Sequence, residues 1–153
     1  MGEIAVRTWD GPVADPATQT AGVRWRRAKE WITYQLKTFV SPAFPGFTSG
    51  HSTFSRAAAE VMTRFTGDAY VPGGLGEFTA HANTFLRNER GPSADVKLQW
   101  ATYYDAADQA GLSRLLGGIH VYADDFQGRI AGSQVGQGAF DLAMEYFAGT
   151  ADP

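Results

Sequence analysis

Two short segments of this chain carry the residue types needed to bind and act on a tetrahedral oxyanion. The first, Ser49-Gly50-His51, lies immediately before a predicted helix. Free backbone N–H groups and the positive end of the helix dipole attract anions at such a position. Gly50 permits close approach of the backbone, the Ser49 hydroxyl can donate to an anion oxygen, and His51 can exchange a proton with the anion. For this segment taken alone, the alternative is a helix N-cap followed by an incidental histidine.

The second segment runs from Arg114 to Asp124. His120 and Asp124 are four residues apart, so that on a helix their side chains can meet. A carboxylate that accepts from Nδ1–H fixes the imidazole tautomer and makes Nε2 a better nucleophile or metal ligand. Arg114 follows the apolar seam of a predicted helix and therefore points inward, where a guanidinium needs a buried partner or an anion. A His–Asp pair at this spacing is by itself a common helix-stabilising contact, and the inward Arg114 favours a functional role.

The composition narrows the classes of protein that this chain can represent. Its 153 residues and 44% hydrophobic content predict one globular domain. The net charge of −3 gives no reason to expect a nucleic-acid or membrane partner. The absence of cysteine excludes disulfides and thiolate metal sites. With no recognisable signal peptide or membrane-spanning run we expect a soluble chain acting on a small molecule, and its localisation stays open.

The apolar periodicity predicts an all-α fold, a helical bundle of about four to five helices behind an irregular N-terminal segment over residues 1–21. The bundle domain is predicted to span residues 22–150. A basic stretch from Arg24 to Gln35 is compatible with a helix. The four later helices are predicted from Ser52 or Thr53 to Gly67, over about residues 75–86, from Gly91-Pro92-Ser93 to Gly117-Gly118, and along a face from His120 to Leu142. Small residues on the last of these faces would let another helix approach closely.

The two segments, in this order, resemble the motifs of the vanadium-dependent haloperoxidases and of the acid phosphatases of the type 2 phosphatidic acid phosphatase superfamily. That family's pattern is K-x6-R-P, then P-S-G-H, then S-R-x5-H-x3-D. The third element is matched in full by Ser113-Arg114, His120 and Asp124. The second is matched by Thr48-Ser49-Gly50-His51, with threonine in place of proline. The likeness covers roughly residues 24–149.

The resemblance implies a role for each matched residue. It assigns His120 to coordinating the vanadium of a bound vanadate, or to attacking phosphorus in the phosphatases, and His51 to acid–base chemistry. Arg114 and Lys29 would neutralise the anion oxygens. The residues implied to hydrogen-bond these oxygens are Ser49 and Gly50, the latter through its amide.

The same resemblance implies the cofactor and the substrates. In the haloperoxidases vanadate binds peroxide and then oxidises halide to a hypohalous species. In the phosphatases the histidine becomes phosphorylated and water then releases phosphate. Phosphate occupies the site that vanadate occupies in the haloperoxidases. Phe44 stands where chloroperoxidase-type members carry Phe and bromoperoxidases carry His.

The first element departs from the family pattern. Lys29 stands where the lysine belongs, but the expected Arg-Pro falls on Leu36-Lys37. Losing a buried guanidinium removes a charge-assisted contact of about 1.5–3 kcal/mol, equivalent to roughly one to two orders of magnitude in anion affinity. The chain also resembles only the C-terminal, site-bearing portion of a longer protein. We therefore expect exposed apolar helix faces and self-association into a homo-oligomer.

Three functional hypotheses follow from the sequence. The leading one is a vanadate-dependent haloperoxidase-type domain acting on peroxide and halide. The second is an acid phosphatase that acts on phosphate esters through a phosphohistidine. The third, motivated by Leu36-Lys37, is a degenerate, non-catalytic domain that binds an oxyanion or a protein partner.

Overall fold

The structure is a computed structural model that describes residues 4–15, 17–31, 35, 41–84 and 90–151. The chain divides into two compact units, Met1–Ser41 and Pro42–Pro153. The boundary between the two units falls after Ser41, whereas the sequence suggested a division after residue 21, and that domain division stays a prediction.

The N-terminal unit contains an antiparallel β-hairpin. Strand β1, Ala5–Trp9, pairs with strand β2, Val23–Arg27, and a 3₁₀ turn at Ala28–Glu30 follows. The helix expected from Arg24 was therefore wrong over this part. Arg24 and Arg26 alternate at the period of a strand, and both guanidinium groups pair with the Asp10 carboxylate.

The second unit contains another antiparallel β-hairpin where helices were expected. Strand β3, Gly76–Ala80, pairs with strand β4, Val96–Trp100, from Gly76 opposite Trp100 to Ala80 opposite Val96. The segment Val-Lys-Leu-Gln-Trp alternates apolar and polar residues, the pattern of a half-buried strand. Its ends are also four residues apart, which is why the same residues fit a helical seam.

The predicted all-α bundle of four to five helices is wrong: the described residues form a mixed α/β structure with two hairpins and three α-helices. The α-helices are α1, Gly50–Thr66; α2, Tyr103–Leu116; and α3, Tyr122–Ala148. Helix α1 ends at Gly67, whose φ of 77° is the left-handed conformation that glycine adopts without strain. Helix α2 begins at a capping box, because Thr102 and Asp105 each accept a hydrogen bond from the other's backbone N–H.

Helices α1 and α3 pack backbone against backbone. A side chain at Gly128 would lie 2.9 Å from the Ser49 carbonyl oxygen. At Gly132 and Gly136 it would meet the carbonyl oxygens of Thr53 and of Ala57. The predicted face of small residues shares Gly128 with this contact but then runs through Ala131, Val135 and Gly138, whereas the helices meet at Gly132 and Gly136.

A buried carboxylate in the middle of α1 is hydrogen-bonded to residues of both α2 and α3. Glu60 of α1 is 7% exposed. Its Oε1 accepts from the Ser133 hydroxyl of α3 at 2.7 Å, and its Oε2 accepts from the Tyr104 hydroxyl of α2 at 2.9 Å. Arg56 donates to the same carboxylate at 3.2 Å. These bonds satisfy a charge that would otherwise be costly to bury.

Large apolar side chains lie on the surface of the helices. Phe54 and Phe65 of α1 and Phe147 of α3 are each more than three-quarters exposed. Self-association through such faces stays a prediction. None of the helices in the described part of the chain combines the length and the apolar character needed to cross a membrane.

Candidate oxyanion site

The N-terminus of α1 is built around Ser49, which is fully buried. Ser49 caps the helix: its Oγ accepts from the Ser52 backbone N–H at 3.3 Å and is hydrogen-bonded to the Ser52 Oγ at 2.9 Å. The sequence offered Ser52 or Thr53 as the cap, and it also left an N-cap open as the alternative for Ser49-Gly50-His51. The N–H groups of Gly50 and His51 lie in the first turn, where the helix offers no carbonyl to accept them. A direct bond from the Ser49 hydroxyl to an anion stays a prediction.

The His120–Asp124 pair lies where α3 begins. The Nδ1 of His120 lies 3.1 Å from the Oδ2 of Asp124, and the two side chains are 4% and 13% exposed. His120 precedes the helix, and the same Oδ2 accepts from the Val121 backbone N–H at 3.3 Å. A single carboxylate thus caps the helix and orients the imidazole, which leaves Nε2 as the ring nitrogen for a ligand.

Two backbone features hold this pair close to α1. The Ser49 N–H donates to the Asp124 carbonyl oxygen at 3.1 Å, joining the starts of α1 and α3. A side chain at Gly46 would lie 3.0 Å from the Asp124 Oδ2. The loop before α1 can therefore approach the carboxylate only because residue 46 has no Cβ.

Arg114 occupies the last turn of α2, and its Nε is buried. Within the described part of the chain, this Nε has no hydrogen-bond partner. An unsatisfied buried donor costs about 1–3 kcal/mol, so its presence requires an explanation. A bound anion would supply the missing acceptor.

The charges of Arg114 and His120 both act on His51. Partial burial lowers the pKa of His51, and the positive charges of Arg114 and then of His120 lower it further. Residues from the starts of α1 and α3 and from the end of α2 are therefore brought together. A depressed pKa keeps His51 neutral near pH 7 and able to accept a proton.

This electrostatic arrangement predicts a pH dependence of folding. Because the pKa of His51 is lower in the folded chain than its ordinary value of about 6.5, the unfolded chain binds more protons between the two values. The free energy of unfolding should therefore rise with pH through this window. A His51→Gln variant should show a smaller rise, as measured by urea unfolding at a series of pH values.

Repeating the unfolding measurements with added sulfate gives a second test, because the charge of sulfate is constant over the pH range in which His51 titrates. An anion in the site opposes the repulsion between His51 and Arg114, so sulfate should stabilise the natural chain most at the acidic end. Equal pH slopes for the natural chain and for His51→Gln would contradict the arrangement.

Sequence reasoning missed a buried network directly behind the site. Ser52 is fully buried, and its hydroxyl donates to Asp125 Oδ1 at 2.6 Å. Asp125 in turn pairs with Arg129 one helical turn later. The spacing of Asp125 and Arg129 was visible in the sequence as an i,i+4 ion pair, whereas the bond to Ser52 was not.

Four further positions were singled out in the sequence: Lys29, Leu36, Lys37 and Phe44. Lys29 belongs to the 3₁₀ turn of the N-terminal unit, and its role stays a prediction. Leu36 and Lys37 lie outside the described residues. Phe44 is 62% exposed.

The donor set suits an oxyanion better than a bare metal ion. In the ranges that the structure describes, no group of three or more His, Asp or Glu side chains is placed to hold a metal ion. A guanidinium with a buried unpaired Nε and two first-turn backbone N–H groups instead offer donors to anion oxygens. One oriented imidazole adds a single ligand atom. These groups fit a tetrahedral anion such as vanadate or phosphate.

Comparison with known proteins decides the family. Residues 1–149, nearly the whole chain, match the family model described as the VCPO second helical-bundle domain. The chain belongs to the vanadium haloperoxidase family. No curated protein sequence matches it.

Two crystal structures of bacterial vanadium-dependent chloroperoxidases show the same fold. The apo-type structure is similar over 98% of this chain, with a TM-score of 0.67 and 20% identity. The holo-type structure is similar over 94% of it, with a TM-score of 0.63 and 19% identity. This member of the haloperoxidase family spans only 30% and 28% of the lengths of those two chains.

Proposed function

We propose that this chain carries the oxyanion site of a vanadate-dependent haloperoxidase, which oxidises halide with hydrogen peroxide. The observation that carries the proposal is the buried Nε of Arg114, which has no partner within the described residues and whose charge lowers the pKa of His51. Membership of the haloperoxidase family supports the same reading.

Vanadate would be bound by groups at the starts of α1 and α3 and at the end of α2. His120 would coordinate vanadium through Nε2, and Arg114 would neutralise the oxygens. The Gly50 amide and the Ser49 hydroxyl would donate hydrogen bonds to the anion oxygens at the start of α1. We propose Lys29 as a further cation that neutralises these oxygens. When bound, vanadate would supply a Lewis acid that activates peroxide toward two-electron oxidation of halide.

The chain's own residues would set geometry and proton transfer. Asp124 holds Nδ1 of His120 and so presents Nε2 in a fixed direction. His51, kept neutral by its surroundings, would accept a proton from hydrogen peroxide. Arg114 would balance the negative charge that remains on the anion.

Activity with and without vanadate tests this proposal. We expect the chain to brominate a phenolic dye in the presence of bromide, peroxide and orthovanadate, and not without orthovanadate. His120→Ala should abolish the activity, and Asp124→Asn should weaken vanadate binding roughly 10- to 100-fold, the usual effect of losing a ligand's supporting carboxylate. His81→Ala is the matched control, because His81 pairs with Asp95 on the surface at 2.9 Å.

The second candidate is a phosphatase, since the same donors address the oxygens of phosphate. Release of p-nitrophenol from its phosphate ester, inhibited by vanadate and dependent on His120, would favour this function. Absence of vanadate-dependent bromination together with such release would reject the haloperoxidase proposal.

A further inference from the structure

The bond between Ser52 and Asp125 lies directly behind the proposed anion site. Ser52 is the third residue of α1, and its buried Oγ contacts both the Ser49 Oγ at 2.9 Å and the Asp125 Oδ1 at 2.6 Å. Asp125 is 3% exposed and follows Asp124, the partner of His120. The bond therefore joins the helix start that presents His51 to the helix start that presents His120.

Asp125 is held as a buried anion. Burial raises the pKa of its carboxyl group, but hydrogen bonds from Arg129 and Ser52, together with the charges of Arg129 and His120, outweigh this and lower it. Arg129 donates to both carboxylate oxygens at 3.0 Å and pairs with Asp108 of α2 at 2.7 Å. The acceptor of the Ser52 hydroxyl is thus fixed on two sides.

Helix α2 closes over this network at a glycine. A side chain at Gly111 would collide with Asp125 Oδ1, and it would lie 2.9 Å from Ser52 Oγ and 3.3 Å from Arg129 Nη2. The three polar groups consequently occupy the space that a Cβ would take. The backbone of α2 therefore packs directly against the Ser52–Asp125 pair at Gly111.

We propose that Ser52 and Asp125 are positioning residues that fix the start of α1 against the start of α3, and so set the relation of Ser49-Gly50-His51 to His120. This inference rests on the proposed function, which supplies the anion bound between the starts of α1 and α3. Neither residue needs to touch the anion, because each acts through the backbone and the cap that it holds.

The chain offers a matched control for this idea. Ser133 donates to Glu60 at 2.7 Å, so it too is a serine that joins α1 and α3 through a carboxylate. Both bonds connect residues 73 positions apart, but the Ser133–Glu60 bond lies further along the helices, away from their starts. Ser52→Ala and Ser133→Ala therefore remove similar bonds at different distances from the site.

The experiment measures orthovanadate affinity by calorimetry and amide exchange by NMR, at a temperature where each variant is folded. We expect both alanine variants to unfold at lower urea concentrations. Only Ser52→Ala should weaken orthovanadate binding, by about tenfold, and only Ser52→Ala should speed exchange of the Ser49 amide, by about tenfold. That amide donates to Asp124 and therefore reports the contact between the two helix starts.

A conservative replacement separates positioning from simple loss of stability. Asp125→Asn keeps an oxygen that can accept from the Ser52 hydroxyl. The Ser49 amide should therefore be better protected from hydrogen exchange in Asp125→Asn than in Asp125→Ala. The proposal is overturned if Ser52→Ala and Ser133→Ala change binding and Ser49 exchange equally. If the natural chain binds no orthovanadate, the proposed function fails, and Ser49 exchange alone decides whether Ser52 positions the helix starts.

Discussion

An Arg114→Met variant is expected to be more stable than the natural chain and, at the same time, to bind orthovanadate at least about tenfold more weakly. The stability gain follows from removing a buried Nε that has no partner among the described residues, a burden of about 1–3 kcal/mol. The loss of affinity follows from removing a charge-assisted donor worth about 1.5–3 kcal/mol to the anion. Urea unfolding and calorimetric titration measure the two effects.

Arg129→Met is the control for this experiment. Arg129 neutralises Asp125, which is 3% exposed, so its removal leaves a buried carboxylate uncompensated. We expect that variant to lose roughly 3–5 kcal/mol of stability. If Arg114→Met were destabilised to a similar extent, Arg114 would have a structural role and the anion site would lose its main support.

A Gly132→Ala variant is expected to lose about 3 kcal/mol or more of the free energy of unfolding. Its methyl group would overlap the Thr53 carbonyl oxygen and lie 3.0 Å from the Arg56 Cβ. The oxygen belongs to the backbone of α1, so the two helices must move apart to relieve the overlap. Against the total of about 5–15 kcal/mol typical of a domain, this is a large fraction.

Gly138→Ala on the same helix provides the matched comparison. Nothing lies within 4 Å of a Cβ at residue 138 among the described residues. Alanine is favoured over glycine in a helix by about 1 kcal/mol, so this variant should be slightly more stable. Chemical denaturation of both variants measures the difference, and similar stabilities would show that α1 and α3 do not pack as closely as described.

The sequence predicts those parts of the molecule whose partners are near in the chain. His120 and Asp124 meet because they are four positions apart. Close approach of a helix to α3 was also predicted, although of the three contacting glycines only Gly128 lies on the predicted face. The strands could not be recognised, because Val96 and Trp100 satisfy a helical period as well as an alternating one. Pairing with residues 76–80 decides between the two.

The candidate site was only partly predictable for the same reason. The cap role of Ser49 is a local contact and was open to prediction. The bond between Ser52 and Asp125 depends on which helices pack together, and no local pattern encodes that choice. The inward direction of Arg114 was predictable from the helical seam. Its lack of a partner among the described residues emerged only once its neighbours had been placed.

Contact between two helices through glycine and carbonyl oxygen has a thermodynamic consequence. In the described ranges the buried apolar residues are three alanines, Ala59, Ala80 and Ala107. Only Ala59 of these lies on α1 or α3, so this interface buries few whole hydrocarbon side chains. The heat capacity increment of unfolding scales with the hydrocarbon surface exposed. Hence the contact of α1 with α3 should contribute little to that increment, and its stability should vary only weakly between cold and warm conditions.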